Sequence, residues 1–139
     1  MKLPLSLAAL AFVASCAAPH KDMGPFTRTT CSSDPCRIKV VARGCDNVKT
    51  DPKILDVSAA RTIEWEIHQN PGTSFTFTRN GIEFKSGGGG GFSGHGGGGS
   101  TRFTWHNNNS VKGDHHYNVN VTQDGGRTIC TEDPTIVNH

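Results

Sequence analysis

The amino-acid sequence predicts an all-β fold, a single antiparallel β-sandwich stabilised by two disulfides. After residue 15 the chain has one Leu against eight Val, seven Ile and fourteen Thr, and β-branched residues favour strands. Apolar and polar residues alternate in short segments spaced by about 8–12 residues, a pattern typical of two packed sheets. Five cysteines in 139 residues suit a small exported domain that disulfides hold together.

In the first half of the domain, four segments have the period of a strand. They lie at 37–43, 54–57, 63–67 and 75–77. The clearest is 63–67, where Ile, Trp and Ile alternate with Glu, as expected for a strand with one buried face. Asp-Pro at 51–52 and Asn-Pro-Gly at 70–72 are turn residues that separate these strands.

The second half contributes five more short segments, and none has a helical period long enough to predict a helix. They lie at 82–84, 103–105, 117–121, 128–130 and 135–137. Asn80-Gly81 predicts a tight turn before 82–84, because this pair favours the backbone of a two-residue turn. Asp-Gly-Gly at 124–126 predicts a hairpin turn.

A glycine-rich segment at 86–100 separates two of these strands and contains ten glycines. We expect a long hairpin loop there, and two interpretations stay open. One is a flexible insertion of low complexity. The other is a loop that presents Phe92 and His95 to a binding partner, since binding residues concentrate on loops held by a rigid scaffold.

Four cysteines, Cys31, Cys36, Cys45 and Cys130, are expected to form two disulfides in an oxidising compartment. A strand at 37–43 rises about 3.3 Å per residue and separates Cys36 from Cys45 by roughly 30 Å, whereas a disulfide needs Cα atoms within about 7 Å. The same argument disfavours Cys31–Cys45. The spacing therefore predicts Cys31–Cys36 and Cys45–Cys130, and the absence of a CxxC pair disfavours a zinc site.

The N-terminus has the features of an export signal. Lys2 precedes an apolar stretch at 5–13, which is too short to span a bilayer. The sequence Val-Ala-Ser-Cys at 13–16 resembles the bacterial lipobox, an aliphatic residue and two small residues before a lipidated Cys. The resemblance implies a signal peptide at 1–15 and a diacylated Cys16 as the mature N-terminus, and two or more acyl chains anchor a protein stably in a membrane.

The residues after Cys16 predict in which membrane the protein is anchored and how the anchor is joined to the domain. Ala17 stands where retention in the inner membrane usually needs Asp, so the resemblance implies an outer-membrane anchor, with the domain in the periplasm or at the surface of a bacterial cell. Ordinary secretory cleavage near Ala17 or Ala18 is the alternative. Polar residues at 16–30 show no period and predict a flexible tether, which leaves 31–139 as the sandwich domain.

Part of the domain resembles the cupredoxin-like sandwich. The matching positions are Pro52, Ile54, Val57 and Ile63-Glu64-Trp65, and later Gly113, His115, Tyr117 and Val119. Other immunoglobulin-like sandwiches match nearly as well, so the resemblance implies the architecture alone. A type-1 copper centre needs two His and a Cys thiolate, and Val119 stands at the position of that Cys, so this centre is not implied.

Histidines are the one candidate feature for metal binding. The chain has seven, and His106 and His116 both have the parity of the outward face of their strands. If these strands pair, the two rings could hold copper or zinc, with Asp114 or Asp124 as an oxygen ligand. Surface histidines without a ligand role are the alternative, and in that case no cofactor is expected.

Charge and motifs exclude several classes of function. A net charge of +2 gives no basis for binding nucleic acid. The chain has no Gly-x-Ser-x-Gly motif, and two disulfides leave no cysteine of the domain for nucleophilic chemistry, so we expect no enzyme and no catalytic residue. The sequence favours a non-catalytic lipoprotein of the cell envelope whose sandwich binds or supports a protein or glycan partner. A periplasmic copper- or zinc-binding protein is the alternative.

Overall fold

The computed structural model describes residues 27–139. In that range the chain forms eleven β-strands and no helix, so the expected all-β class is confirmed. The strands are β1 (Arg28–Thr30), β2 (Cys36–Ala42), β3 (Val48–Asp51), β4 (Ile54–Val57), β5 (Arg61–Gln69), β6 (Phe75–Phe84), β7 (Phe92–Gly96), β8 (Arg102–Asn107), β9 (Gly113–Gln123), β10 (Ile129–Glu132) and β11 (Thr135–Asn138).

The strands form two sheets that pack together, which confirms the expected sandwich. One sheet has the order β1-β4-β11-β9-β10, with β6 on the other side of β9, and the second sheet has the order β3-β2-β5-β8-β7. Three pairings, β1 with β4, β4 with β11 and β2 with β5, are parallel, so both sheets are mixed rather than purely antiparallel. The chain leaves the second sheet after β3, adds β4 to the first and returns as β5 beside β2. Alternation shows which face of a strand is buried but not the direction of its neighbour.

The core lies between the sheets and contains the inward residues of both. Trp65 on β5 and Tyr117 on β9 form what we call the core centre, and neither side chain is exposed. Their ring centroids lie 5.5 Å apart at 72°, and the Trp65 indole N–H donates to the Tyr117 hydroxyl at 3.1 Å. Burial raises the pKa of the Tyr117 phenol above its ordinary value. The core centre therefore joins the two sheets by ring packing and by a hydrogen bond.

Both expected disulfides form. Cys31–Cys36 closes a short loop before β2, with Cα atoms 5.6 Å apart. Cys45–Cys130 joins the turn after β2 to β10, with Cα atoms 4.9 Å apart. Because β2 and β10 belong to different sheets, the second bridge also ties the two sheets together. In the chain-entropy model a loop of this length contributes about 4–5 kcal/mol.

The domain begins earlier than the sequence predicts. The last residues of the predicted tether at 16–30 form β1, which pairs with β4. All three residues of β1 are exposed, so the segment has no alternation by which a strand could be recognised. The expected tether is therefore wrong for Arg28–Thr30. The expected signal peptide at 1–15 and the expected lipidation of Cys16 lie outside the described residues.

A charged cluster holds β1 and the C-terminal residue on β4. The Arg28 guanidinium donates to both carboxylate oxygens of Asp56, at 2.6 and 2.7 Å, and His139 Nε2 lies 2.6 Å from Asp56 Oδ1. These hydrogen bonds, first of all the one from Arg28, lower the pKa of Asp56 from 3.8 to about 2. The cluster explains why a segment without apolar alternation is part of the sheet.

The predicted turn at Asn80-Gly81 is wrong, because β6 continues through it from Phe75 to Phe84. The pairing of β6 with β9 shifts register between Phe77 and Ile82. A Cβ on Gly81 would lie 2.7 Å from Phe77 Cβ and 2.9 Å from Phe103 Cδ2. Glycine is needed here because a side chain would clash with the neighbouring phenyl groups. Glycine in a strand often marks an irregularity of this kind, where other atoms approach the backbone closely.

The segment between β7 and β8 hydrogen-bonds to strands of both sheets. Gly99 N–H donates to Phe77 O at 2.8 Å, and Phe77 N–H donates to Ser100 O at 2.9 Å. Ile67 N–H donates to Thr101 O at 2.8 Å. Since Phe77 belongs to β6 and Ile67 to β5, the residues at 97–101 connect the two sheets along one side of the sandwich.

Candidate functional site

The expected metal pair of His106 and His116 is not formed, because β8 and β9 belong to different sheets. His106 is exposed on β8, which pairs with β5 and β7. His116 is exposed on β9, and its Nδ1 is 3.0 Å from the hydroxyl of Thr135. Asp124, one of the expected oxygen ligands, instead accepts a hydrogen bond from Ser74 N–H at 3.0 Å.

The structure offers no other metal cluster in residues 27–139, where no group of three or more His, Cys, Asp or Glu side chains is arranged to hold an ion. The carboxylates of β5 are engaged on the outer face of the second sheet. Glu66 accepts a hydrogen bond from Arg102 at 3.0 Å, which lowers the pKa of Glu66 below its ordinary value. Glu64 lies 3.4 Å from the Arg37 guanidinium. These ion pairs lie at the surface of the sheet, where such pairs contribute little to stability.

His115 is buried behind the glycine-rich segment, on the face of β9 opposite to His116. It is 3% exposed, and its Nδ1 contacts Gly88 O. Its Nε2 lies 3.0 Å from Val111 O and 3.2 Å from Asn138 Nδ2. Both ring nitrogens thus have protein partners, so His115 has a structural role and attaches the glycine-rich segment to β9.

The glycine-rich segment at 86–100 is not a single loop, since it contains strand β7 (Phe92–Gly96) at the edge of the second sheet. The turn before β7 is closed by hydrogen bonds from Gly88 N–H to Lys85 O and from Phe92 N–H to Gly89 O, at 2.8 and 3.1 Å. The expected hairpin loop is therefore wrong in part. Low glycine β-propensity hides this strand in the sequence.

Phe92 belongs to the core and is not presented by a loop as the sequence suggested. Its side chain is 8% exposed. Its ring centroid lies 4.2 Å from that of Phe84 and 5.1 Å from that of His115. The aromatic residue that the sequence offered as a binding contact instead anchors β7 to the interior.

His95, the second residue of the expected binding loop, is exposed and lies against Trp105. Their ring centroids are 4.7 Å apart with an interplanar angle of 27°. In a regular strand, a residue three positions after the inward Phe92 would face outward. The pairing of β7 with β8 is irregular between Ser93 and Gly96, and Gly94 has a φ of 67°. This bulge turns His95 back over the sheet, as bulges do beside many functional sites.

His95 borders a cleft at the side of the sandwich where β6 of one sheet faces β7 and β8 of the other. We call it the aromatic cleft, and its volume is about 280 Å³. Phe84 and Trp105 line it from opposite sheets, with ring centroids 5.6 Å apart at 76°. The complete lining is Asn80, Ile82, Glu83, Phe84, Gly89, His95 and Trp105.

The polar groups of the aromatic cleft lack protein partners. The Trp105 indole N–H is buried and makes no hydrogen bond within residues 27–139. In the same range, the side chains of Asn80 and His95 form no hydrogen bond and no ion pair. Buried polar groups are nearly always hydrogen-bonded, so the unpaired indole N–H is an exception that the protein contacts of the described range do not satisfy.

Two further buried polar atoms of the described range lack a partner, Thr50 Oγ1 and Asn109 Oδ1. Neither residue lines the aromatic cleft. Asn109 donates from Nδ2 to His139 O at 3.2 Å and from its backbone N–H to Asn107 Oδ1 at 2.9 Å. These contacts place it in a structural network rather than at a site.

A second hollow, of about 370 Å³, surrounds the loop of the Cys31–Cys36 disulfide. Two of its polar side chains bond to the protein itself. Asp34 Oδ1 accepts from Thr62 N–H at 2.9 Å, and Ser33 Oγ donates to Pro35 O at 3.0 Å. No aromatic ring lines it, so the aromatic cleft is the better candidate for binding a ligand.

Comparison with known proteins does not identify a family for this chain. No model of a known protein family matches the chain, and no curated protein matches it. Within the described range, no helix is long and apolar enough to cross a membrane. Interpretation of function therefore depends on the chemistry of the residues themselves.

Proposed function

We propose that the protein is a non-catalytic binding module of the cell envelope, anchored through a lipidated Cys16, and that its ligand binds in the aromatic cleft. The observation that carries the proposal is the combination of aromatic surface and unpaired polar groups in one cleft. Ligand sites are concave, mostly apolar, and contain a few convergent polar groups. The aromatic cleft has this composition, with Phe84 and Trp105 as its aromatic walls.

The position of the aromatic cleft in the fold supports binding as its role. Its two walls come from different sheets, and those sheets are tied together by the core centre and by Cys45–Cys130. A ligand would therefore meet a preformed surface, which lowers the entropic cost of binding. The bulge at Gly94 turns His95 toward the rim of the cleft.

Two disulfides support the envelope part of the proposal, because disulfides persist in oxidising compartments such as the bacterial periplasm. The resemblance of 13–16 to the lipobox supports lipid attachment at Cys16. With outer-membrane sorting, the anchor holds the aromatic cleft in the periplasm or at the cell surface. A protein or a glycan of the envelope is then the partner.

A fragment screen on the ¹⁵N-labelled full chain, in a detergent without a sugar headgroup, tests the binding part. The library contains sugars, amines, carboxylates, aromatic acids and short peptides. We expect at least one class to shift the amide resonances of Glu83, Phe84, Gly89 and His95 in a saturable manner, and the shifts to disappear in Trp105→Ala. If no class shifts these resonances, or if the same shifts persist in Trp105→Ala, the aromatic cleft is not the binding site.

Fractionation of expressing cells tests the anchoring part. We expect the wild-type chain to take up labelled palmitate and to sediment with the outer membrane. Cys16→Ser removes the thiol and should abolish the label, while the neighbouring Ala17→Ser, which keeps the thiol, should retain it. Equal labelling of Cys16→Ser and the wild-type chain would contradict a lipid anchor at Cys16.

A further inference from the structure

We infer that the aromatic cleft binds one pyranose ring of a glycan, an inference that deepens the binding function proposed above and rests on it. Three properties of the cleft point to such a ligand: its aromatic walls, the mixture of hydrogen-bond donors and acceptors that it leaves unpaired, and its volume.

The apolar surface consists of rings set at a steep angle to one another. Phe84 and Trp105 meet at 76° and form a corner, and Ile82, which is 2% exposed, closes the floor. A pyranose ring has C–H groups on its flat faces and hydroxyl groups around its edge. Its C–H face can pack on an aromatic wall while the hydroxyls reach the polar rim, so one ring uses both parts of the cleft.

His95 stacks on the Trp105 indole and adds its own exposed ring to the cleft. Its ring is nearly parallel to the indole at 4.7 Å and is itself exposed. No hydrogen bond within the described range fixes its ring nitrogens, so both are available to a ligand. A neutral imidazole has one donor and one acceptor, which matches the chemistry of a hydroxyl group.

The unpaired polar groups distinguish between ligand classes. The Trp105 N–H is a donor, and the His95 ring and the Asn80 amide each offer a donor and an acceptor. A simple cation offers no acceptor to the indole or the amide. An anion offers no donor to the acceptor atoms of His95 and Asn80. Hydroxyl groups donate and accept, so a polyhydroxylated ligand can pair with every one of these groups.

The volume limits the size of the bound group. About 280 Å³ lies just below the range of roughly 300–1,000 Å³ for ligand sites. The cleft is open at the side of the sandwich, between β6 and β7. It therefore has space for one ring, and the rest of a glycan chain would extend into solvent.

Calorimetric titration of the full chain with chitotriose, cellotriose and maltotriose tests this inference, again in a detergent without a sugar headgroup. We expect saturable binding of at least one trisaccharide. Trp105→Ala should weaken it at least about tenfold and His95→Ala about threefold, since each aromatic contact contributes on the order of 0.5–1.5 kcal/mol. His106→Ala is the matched control, because His106 is an exposed histidine on the outer face of the same sheet, and it should leave the dissociation constant unchanged.

The outcomes separate this inference from the proposed function. If no trisaccharide binds while fragments of another class shift the cleft resonances, the glycan is the wrong ligand and the binding function stands. If no fragment of any class shifts those resonances, both proposals fail. Equal weakening by His95→Ala and His106→Ala would place sugar contacts outside the cleft and overturn the inference as well. Trp105→Phe provides a second variant should Trp105→Ala fail to fold, and it should weaken binding by a smaller factor.

Discussion

Trp65 and Trp105 lie on adjacent strands and on the inward face of the same sheet, yet their surroundings differ. Trp65 is fully buried and its N–H donates to Tyr117 at 3.1 Å. Trp105 is only partly buried, has an N–H without a partner in the described range, and is overlaid by His95 at 4.7 Å. The core centre satisfies its polar groups internally, whereas the aromatic cleft does not.

The difference between the two tryptophans shows how a residue that stabilises the fold can be distinguished from one that is available to a ligand. A buried aromatic residue with its polar atom paired stabilises the fold. An aromatic residue at the open side, with an unpaired polar atom, costs some stability and offers a contact to another molecule. Variants that exchange or remove these features should therefore change stability in one region and binding in the other.

Truncation of the two tryptophans should show the largest contrast. Trp65→Ala leaves a cavity at the core centre and should lower the free energy of unfolding by about 3–5 kcal/mol. Trp105→Ala removes a partly exposed side chain and should cost about 1–2 kcal/mol. Urea unfolding followed by circular dichroism measures both. Equal losses would mean that Trp105 is a core residue and that the two regions do not differ.

Replacement of each indole by a phenyl ring isolates the N–H group. Trp65→Phe leaves the buried Tyr117 hydroxyl without its donor and should cost about 1–3 kcal/mol. Trp105→Phe removes an N–H that has no partner in the described range, so the free energy of unfolding should change by about 0.5 kcal/mol or less. A loss in Trp105→Phe as large as in Trp65→Phe would show that the protein itself satisfies the Trp105 N–H.

A glycine variant tests whether the bulge in β7 serves binding. Gly94 has a φ of 67° and Gly125 a φ of 66°, and in both cases a Cβ would have no neighbour within 4 Å. Gly94→Ala and Gly125→Ala should therefore each lose about 1–2 kcal/mol from backbone strain alone. Only Gly94→Ala should also weaken ligand binding, because it disturbs the bulge that directs His95. If the two variants bind the ligand with equal affinity, the bulge does not contribute to ligand binding.

The smallest effect concerns acid stability and involves neither tryptophan. The pKa of Asp56 is lowered from 3.8 to about 2 by Arg28 and His139. Its stabilising contribution should therefore be complete above about pH 4 and should be lost as the pH falls toward 2, since protonation then favours the unfolded chain. Asp56→Asn should flatten the dependence of stability on pH in that window. An unchanged slope would show that the cluster on β4 does not couple to folding.

Much of the fold could be predicted because local patterns carry it. The strand predicted at 54–57 has the same bounds in the structure, and the strand predicted at 37–43 differs by one residue at each end. The disulfides followed from strand length alone, since an extended segment keeps Cys36 away from Cys45. Period-two alternation and chain extension are properties of single segments, so they do not depend on which strands become neighbours.

The aromatic cleft could not be predicted, because it depends on which strands become neighbours. Phe84 and Trp105 were each assigned to a strand, but nothing in the alternation shows that the two strands face each other from different sheets. The predicted pairing of His106 with His116 assumed that their strands are neighbours in one sheet, and this assumption is wrong. Strand β7 and its bulge were hidden by glycine, and only the observed register explains why His95 is turned inward while Phe92 is buried.

The most direct test of the aromatic cleft follows the side-chain indole resonances in a ¹⁵N spectrum during ligand titration. The chain has two tryptophans, so there are two such resonances, and the spectrum of Trp105→Phe assigns them. We expect the Trp105 resonance to move with added ligand and the Trp65 resonance, from a side chain that is 0% exposed, to stay in place. If the Trp105 resonance stays in place at saturating ligand, or both resonances move together, the aromatic cleft is not the binding site.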